Sequence, residues 1–436
     1  MRNKLCSKVV AREAVVGIIG LGYVGLPLAR EFLKEGFKVC GFDVDLNKVE
    51  MLKTGQSYIK HIQDDFLKKH VLETKKLTAT SDFSRLADAD YIIVCVPTPL
   101  GKHRNPDLSY VLNSTRSIAQ YLRPGHVVVL ESSTYPGTTE DDMLPILEAT
   151  GLKVGRDYYL GYSPEREDPG NKDFSTGTIP KIVSGVTPDC LEVVDCLYRE
   201  IVTTVRVSTP KVAEASKILE NTYRAVNIAM VNELKMLFDR MGINVWEVID
   251  AAKSKPFGFQ AFYPGPGLGG HCIPIDPFYL TWKAKEYDFS TRFIELAGEI
   301  NTLQPYFVVQ KVGQALNHHN KSMRGSRILL LGMAYKKDID DVRESPALTL
   351  HELIVEQGGL VDYYDPFIPE TGPHRHFPDM KLRSIAYSPA AIASYDLVLV
   401  VTDHSSFPYD EILASAQLIL DTRNVYRHAH EKVFKA

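Results

Sequence analysis

Short apolar runs alternate with helix-length amphipathic segments in the first half of the chain, and this alternation restricts the possible folds more than any other feature. The runs cover residues 15–20, 38–43, 91–96, 127–131, 158–162 and 181–185, with 202–207 as a possible edge strand. Chain-breaking residues such as Pro97 and Pro136 follow the runs. Strands that alternate with helices form a parallel sheet covered by helices on both faces. We therefore predict a doubly wound, Rossmann-like domain over residues 1–208.

The pattern changes in the middle of the chain. Residues 212–241 contain neither Gly nor Pro and place apolar residues at helical spacing, which predicts one long helix. A short helix over 244–252, a Gly/Pro-rich loop over 255–277 and a second long helical stretch over 291–318 follow. Long loops within compact domains are usually functional or disordered, and the aromatic residues of this loop favour function. We predict a central helical domain over residues 209–322.

The α/β alternation resumes near the C-terminus. Apolar runs at residues 328–332, 360–364, 397–402 and 418–421 predict a second Rossmann-like domain over residues 323–436. The predicted fold class is therefore α/β, with two Rossmann-like, doubly wound domains joined by a central long helix.

Composition excludes several classes of protein. Fifty basic and 54 acidic residues give a net charge of −4 without long runs of one sign, unlike a general nucleic-acid binder. Six scattered cysteines without a CxxC pair favour a reducing compartment. The uncharged stretch 14–29 is short for a membrane span and interrupted by glycines. We expect a cytoplasmic protein with neither nucleic acid nor membrane as a partner.

A glycine motif follows the first predicted strand and opens a predicted helix. Gly20 would permit a tight turn, Gly22 the approach of a pyrophosphate, and Gly25 close packing of the helix on the strand. Asp43 ends the second predicted strand, where a carboxylate accepts hydrogen bonds from the adenosine ribose. This spacing predicts NAD as cofactor, although Lys48 lies near enough to leave NADP open. The alternative is a glycine-rich turn without a ligand.

The second Rossmann-like unit lacks this motif, because Gly332 is the single glycine at the corresponding turn. Lys336, Lys337 and Arg343 cluster after its first strand. Cations at the carboxyl end of a strand suit a phosphorylated ligand. A solvated basic loop balanced by the neighbouring aspartates remains equally open.

Cys272 is the one cysteine that lies in a Gly/Pro-rich loop, with Asp276 four residues later. This setting suits a nucleophile with a nearby acid, whereas a buried inert thiol is the usual role of cysteine. His271 invites a zinc hypothesis. No CxxC or HxxxH pattern supports it, so we expect no metal.

Several motifs together resemble the UDP-glucose/GDP-mannose dehydrogenase family over nearly the whole length. They are residues 20–25, 96–99, 133–139, 163–165, 217–221, 269–276 and 336–346. Within the family, residues 163–166 and 257–280 most resemble the bacterial UDP-N-acetylglucosamine 6-dehydrogenases, enzymes of O-antigen and capsule sugar synthesis. In UDP-glucose dehydrogenases the Pro-Glu pair is followed by Phe-Leu-Arg-Glu, which supplies a second acid. Here Arg166 follows Glu165, which leaves the second acid uncertain and counts against UDP-glucose.

The resemblance implies a two-step, NAD-dependent oxidation of a sugar C6 alcohol to a carboxylate. The implied catalytic residues are Thr134, Glu165, Lys217, Asn221, Cys272 and Asp276. Cys272 would form a thiohemiacetal and then a thioester. Lys217 and Asn221, one helical turn apart, would stabilise oxyanions. Thr134, Glu165 and Asp276 would manage water and protons.

The resemblance also implies two sets of binding residues. For NAD they are Gly20, Gly22, Tyr23, Val24, Gly25, Asp43, Lys48, Pro97, Thr98 and Thr134. For the UDP-sugar they are Glu165, Arg166, Lys217, Asn221, Tyr263, Gly267, Gly269, Gly270, Lys336 and Arg343. A homodimer or larger homo-oligomer through the central helix is expected. UDP-glucose or another UDP-hexosamine as substrate, a one-step 3-hydroxyacid-type dehydrogenase, and a non-catalytic NAD-binding sensor remain as alternatives.

Overall fold

A computed structural model describes residues 1–59, 62–101, 105–167, 176–270, 273–372, 374 and 377–436. The chain divides into two compact units. The first contains Met1–Glu220 and Phe278–Phe289, and the second contains Asn221–Pro277 and Ser290–Ala436. The three domain boundaries drawn from the sequence stay a prediction.

The first unit is built on an eight-stranded sheet. Its strands are β1 (Val15–Ile19), β2 (Lys38–Phe42), β3 (Leu77–Thr80), β4 (Tyr91–Val94), β5 (Val127–Leu130), β6 (Tyr159–Tyr162), β7 (Lys181–Gly185) and β8 (Thr204–Arg206). Their order is β3-β2-β1-β4-β5-β6-β7-β8, and within the described residues β6 and β7 are the only neighbours in this sheet that pair antiparallel. The first six strands have the order of a Rossmann fold. The predicted doubly wound domain is confirmed.

Helices cover this sheet. They are α1 (Arg2–Val10), α2 (Gly25–Lys34), α3 (Leu46–Lys53), α4 (Asp64–Lys68), α5 (Ser109–Tyr121), α6 (Leu144–Glu148) and α7 (Pro188–Tyr198). A 3₁₀ segment lies at Phe83–Asp88, and π-helical segments lie at Lys69–Glu73 and Thr138–Met143. The central strands are buried on both faces, as in β5, where all residues are inaccessible to solvent. Such strands read as continuous apolar runs, which is why the sequence predicts them.

Long helices form the middle of the chain. They are α8 (Pro210–Met241), α9 (Val245–Lys253), α10 (Asp276–Ala284) and α11 (Arg292–His318), with a 3₁₀ turn at Lys285–Tyr287. The side chain of Asn244 caps α9 by accepting from Trp246 N at 3.1 Å. The predicted helices over 212–241, 244–252 and 291–318 are confirmed. No described helix is long and apolar enough to cross a membrane.

The second unit contains a five-stranded parallel sheet. In chain order its elements are β9 (Arg327–Leu331), α12 (Pro346–Glu356), β10 (Leu360–Tyr364), α13 (Pro389–Ala393), β11 (Leu397–Val400), α14 (Tyr409–Ser415), β12 (Ile419–Asp421) and β13 (Val433–Lys435). The strand order is β10-β9-β11-β12-β13. This is a doubly wound order with its switch point between β9 and β11, so the second Rossmann-like domain is confirmed.

Candidate active site

The turn between β1 and α2 has the geometry of a phosphate-binding loop. Gly20 has φ +91°, and a Cβ there would lie 2.5 Å from the carbonyl oxygen of Cys95. A Cβ on Gly25 would lie 1.9 Å from the carbonyl oxygen of Gly20. A Cβ on Gly22 would meet no heavy atom of the described chain within 4 Å. The fold therefore requires the outer two glycines, while the middle one leaves open space for a ligand.

The N-terminus of α2 faces this turn. Val24 occupies the N-cap position and makes no side-chain capping bond, and the neighbouring Tyr23 is 37% exposed. The first amides of a helix lack intrahelical acceptors, and an anion can supply them. The turn also follows β1 where the sheet order reverses between β1 and β4, the position at which doubly wound sheets bind ligands.

Asp43 follows β2 and is fixed against the same turn. Its Oδ2 accepts from Leu21 N at 2.9 Å and its Oδ1 from Asp45 N at 2.9 Å. The Nζ of Lys48 lies 3.7 Å from Asp43 Oδ2. A carboxylate held here can accept from ribose hydroxyls and would repel a 2′-phosphate. The residues present therefore fit NAD.

The segments after β4 and β5 are tied together. Ser132 Oγ donates to the carbonyl oxygen of Val96 at 2.7 Å, next to Pro97 and the buried Thr98. Thr134 is 1% exposed, and its hydroxyl makes no hydrogen bond to any residue that the structure describes. A buried hydroxyl without a protein partner is available to a ligand or a bound water.

Glu165 follows β6 and engages the protein with one carboxylate oxygen. Oε1 accepts from Arg166 N at 2.7 Å and Glu167 N at 2.6 Å. Oε2 is buried and forms no hydrogen bond within the described ranges, but the Nζ of Lys181 lies 3.7 Å away. The guanidinium of Arg166 forms an ion pair with Glu220 at 2.7 Å, so this side chain is already engaged on α8.

Glu214 is a residue that sequence reasoning missed. It precedes Lys217 by about one helical turn on α8 and is fully buried. Its carboxylate accepts from Gly137 N at 2.6 Å, Thr139 N at 2.9 Å and Thr139 Oγ1 at 2.7 Å. Burial raises the pKa of Glu214 to about 7. Lys217 itself is 7% exposed. The spacing of Glu214 and Lys217 at i and i+3 is the signal that could have found the former.

In the second unit, two of the predicted catalytic residues meet. Asn221 Nδ2 donates to Asp276 Oδ2 at 2.6 Å, and both side chains are buried. Asp276 is the first residue of α10, where a carboxylate is favoured by the helix dipole. His271 and Cys272 lie outside the described residues.

The glycine-rich loop packs on the segment that follows β9. A Cβ on Gly269 would lie 2.6 Å from Tyr335 Cβ, and one on Gly270 would lie 2.8 Å from the ring of Tyr335. Gly270 N donates to the carbonyl oxygen of Arg343 at 3.0 Å. These glycines are thus needed for packing within the protein, and they bring the loop to the segment with Lys336 and Arg343.

Other predicted binding residues have identifiable neighbours in this unit. Tyr263 donates its hydroxyl to Asp250 at 2.6 Å. Gly267 has φ +151°, a conformation that favours glycine. Arg343 pairs with Asp341 through Nη2 and Oδ2 at 2.6 Å, so an acid of the same segment balances part of its charge.

The turn after β9 repeats the arrangement seen after β1. Asp365 Oδ2 accepts from Met333 N at 2.7 Å and Ala334 N at 2.9 Å, as Asp43 accepts from Leu21 N. Here His404 Nε2 also lies 3.0 Å from Asp365 Oδ2. Burial acts to raise the pKa of Asp365, but the interactions with His404 and the backbone amides of Ala334 and Phe367 together outweigh it and hold that pKa below its usual value. This carboxylate therefore has a histidine partner where Asp43 has the nearby Lys48.

Comparison with protein families matches the chain in three consecutive parts. Residues 14–202 match the NAD binding domain, 211–303 the central domain and 329–428 the UDP binding domain of the UDP-glucose/GDP-mannose dehydrogenases. The chain belongs to the UDP-glucose/GDP-mannose dehydrogenase family. The predicted family, the NAD cofactor and the assignment as an NAD-dependent oxidoreductase of nucleotide sugars are confirmed.

Relatives of this dehydrogenase carry different substrate names. A UDP-N-acetyl-D-glucosamine 6-dehydrogenase of Pseudomonas aeruginosa is 37% identical over 403 residues, 91% of this chain and 92% of the relative. One of Salmonella typhi is 34% identical over 398 residues, 91% of each chain. The structure of a UDP-D-ManNAc dehydrogenase of Pyrococcus horikoshii superposes with a TM-score of 0.85 at 33% identity, covering 97% of this chain and 98% of that one. These relatives share the family with this chain, and their names differ in the sugar.

Proposed function

We propose that this dehydrogenase oxidises the C6 hydroxymethyl group of UDP-N-acetyl-D-glucosamine to a carboxylate, giving UDP-N-acetyl-D-glucosaminuronate. The observation that carries the proposed two-step oxidation is the 2.6 Å hydrogen bond between Asn221 and Asp276, which joins an amide donor to the acid four residues after Cys272 in the sequence. A one-step alcohol dehydrogenase has no need for the nucleophilic cysteine that the resemblance to the family implies. Similarity to the Pseudomonas and Salmonella enzymes supports the choice of sugar.

The turn after β1 would hold NAD, which would supply the hydride acceptor for each of the two oxidations. Gly22 and the amides of α2 would hold its pyrophosphate, and Asp43 its adenosine ribose. Pro97, Thr98 and Thr134 follow the neighbouring strands, where they would meet the rest of the cofactor.

Cys272 would capture the aldehyde as a thiohemiacetal, since its sulfur adds to C6 and the carbonyl oxygen takes up a proton. Oxidation of this adduct leaves a thioester on Cys272. Lys217 and Asn221 would stabilise the negative charge that develops on the C6 oxygen in each step. Covalent capture keeps the aldehyde from leaving the enzyme.

Water then hydrolyses the thioester. Its oxygen bonds to C6, the sulfur of Cys272 leaves as a thiolate, and a carboxylate accepts the proton of the water. Glu165 has a buried oxygen that forms no hydrogen bond to a described residue, which suits this role. Asp276 and Thr134 would orient the water.

The wider setting follows from the substrate and from exposed residues. We place the enzyme in the cytoplasm, in the supply of precursors for O-antigen or capsule polysaccharide. We also propose a homodimer or larger homo-oligomer through α8, which exposes an apolar series: Leu219, Tyr223, Met230, Leu237 and Met241.

A panel of nucleotide sugars tests the choice of substrate. We expect the highest kcat/KM with UDP-N-acetylglucosamine, ahead of UDP-glucose, UDP-N-acetylgalactosamine and UDP-N-acetylmannosamine. The last is the second candidate, because the Pyrococcus horikoshii relative is named for it. Equal or faster turnover of UDP-glucose would overturn the proposal, since kcat/KM measures discrimination between substrates directly.

A further inference from the structure

A buried lysine lies beside Glu165. Lys181 is 4% exposed, and its Nζ lies 2.9 Å from Glu131 Oε2 and 3.7 Å from Glu165 Oε2. It also donates to the carbonyl oxygen of Pro164 at 3.3 Å. The hydroxyl of Tyr198 donates to Glu131 Oε1, the other oxygen of the same carboxylate. One ammonium thus serves two carboxylates, that of the buried Glu131 and that of the partly buried Glu165, whose Oε2 is inaccessible to solvent. Tyr198 gives Glu131 additional side-chain support.

The topology of the sheet places Lys181 there. β7 pairs antiparallel with β6, with Gly161 opposite Gly185 and Tyr162 opposite Ser184. Because the pair is antiparallel, each step forward along β6 corresponds to one step back along β7. Continued beyond β6, this register sets Glu165 opposite Lys181. A parallel strand in the same place would have presented the other end of β7 to Glu165.

The cluster stabilises charge in a buried place. Burial acts to lower the pKa of Lys181, but the attraction of Glu131 and Glu165 outweighs it and raises that pKa above its usual value. The lysine is therefore an ammonium at neutral pH. Removing one member of a buried ion pair leaves the other uncompensated, so the three groups depend on one another.

We propose that Lys181 is a positioning residue for Glu165, which it holds with Oε2 directed to the reacting water and supplies with a buried counter-ion. Backbone amides fix Oε1, so the ammonium is the group that orients the remaining oxygen. Glu131 and Tyr198 hold the ammonium in turn. The inference rests on the proposed function, in which Glu165 takes the proton of the water that hydrolyses the thioester on Cys272.

The test removes both charges together, because Lys181→Met alone would leave Glu131 as an uncompensated buried charge and strongly destabilise the fold. In the double variant Lys181→Met/Glu131→Gln we expect kcat to fall about ten-fold with KM for the UDP-sugar nearly unchanged, since a displaced base slows chemistry rather than binding. Glu165→Gln alone should cost roughly 100-fold. Intact-protein mass spectra of quenched reactions should reveal an acyl adduct in both. Ser184→Ala, which removes a bond from β7 to the carbonyl oxygen of Tyr162, is the matched control and should show neither effect.

The decisive comparison places the double variant in the Glu165→Gln background. If Lys181 acts through Glu165, the added loss of kcat disappears there, because coupled residues are not additive. The inference would be overturned if the double variant lowered kcat by the same factor in the Glu165→Gln background as in the wild type. Wild-type kcat in the double variant would overturn it as well. If the double variant does not fold, Tyr198→Phe takes its place, because it removes only the hydroxyl that holds Glu131. Its effect on kcat is then compared in the wild-type and Glu165→Gln backgrounds. Full activity of Glu165→Gln would instead refute the proposed role of Glu165 itself.

Discussion

In the turn after β1, some glycines are required by the folded backbone and another leaves space for a ligand. A Cβ on Gly25 would collide with the backbone of Gly20, whereas a Cβ on Gly22 would meet only open space. Sequence spacing alone predicted all three glycines of the motif. It could not distinguish their roles, because the colliding atoms are brought together by the folded backbone.

Alanine at Gly25 should therefore affect stability, whereas alanine at Gly22 should affect NAD binding. Gly25→Ala should lower the free energy of unfolding by about 1–3 kcal/mol or more, as overpacking does. Gly22→Ala should leave unfolding of the apo protein unchanged and weaken NAD binding about ten-fold or more, about 1.4 kcal/mol. Thermal unfolding and calorimetric titration with NAD measure the two effects. Normal NAD affinity in a folded Gly22→Ala variant would contradict the assigned site.

Asp43 should control the choice between NAD and NADP. Its carboxylate is fixed by Leu21 N and Asp45 N, so a 2′-phosphate would be placed against a negative charge. We expect Asp43→Asn to reduce the preference for NAD over NADP, measured as the ratio of kcat/KM, by roughly ten-fold. Lys48→Met is the control, and it should leave NAD favoured. An unchanged ratio in Asp43→Asn would place cofactor selection elsewhere.

Among the elements, the sequence predicted the buried strands and long helices but missed those that lack a continuous apolar run. β3 is an edge strand whose residues alternate between buried and exposed positions, and α10 begins at Asp276 inside what reads as a Gly/Pro-rich loop. Pro277 is tolerated there because the first turn of a helix needs no amide donor at that position. The contact of Glu214 with Gly137 and Thr139 was equally hidden, since it joins segments far apart in the chain.

Glu214 ties α8 to the π-helical segment after Gly137 and should make stability depend on pH. Its pKa rises from 4.5 to about 7 in the folded protein, so the folded state binds the proton more tightly than the unfolded state. This contribution to stability is complete below about pH 4.5 and is lost as pH rises through about 7. Relative to Glu214→Gln, the wild type should lose about 3 kcal/mol across that window.

Chemical denaturation of both proteins at several pH values measures this difference. The comparison with Glu214→Gln cancels other titrating groups, such as His126, whose pKa burial lowers to about 4. A constant difference between wild type and variant from pH 4.5 to 8 would show that Glu214 does not titrate in this window.

At the scale of the whole molecule, the motif order predicted the family, and comparison confirmed it. The composition could not predict whether another chain covers the apolar residues that α8 exposes, because the sequence of an amphipathic helix is the same whether its second face meets solvent or another chain. Such a series on a long helix is typical of an interface.

If α8 forms the proposed interface, a charge on its exposed apolar face should separate the subunits. Leu237 is 49% exposed on α8, and Leu237→Asp should shift the protein from a dimer or larger species to the mass of one chain in light scattering after size exclusion. Leu72→Asp, at a residue that is 53% exposed in the first unit, is the control and should leave the mass unchanged. A wild type that already has the mass of one chain would refute the proposed homo-oligomer.

Oxidation through a thioester on Cys272 is tested most directly by the amount of NADH formed per UDP-N-acetylglucosamine consumed. Two oxidations at C6 require about two NADH for each sugar, and Cys272→Ser should bind NAD normally while turnover nearly ceases. One NADH per sugar would indicate a simple alcohol dehydrogenase, and none with any nucleotide sugar a binding protein. Either result, or full activity of Cys272→Ser, would contradict the proposed function.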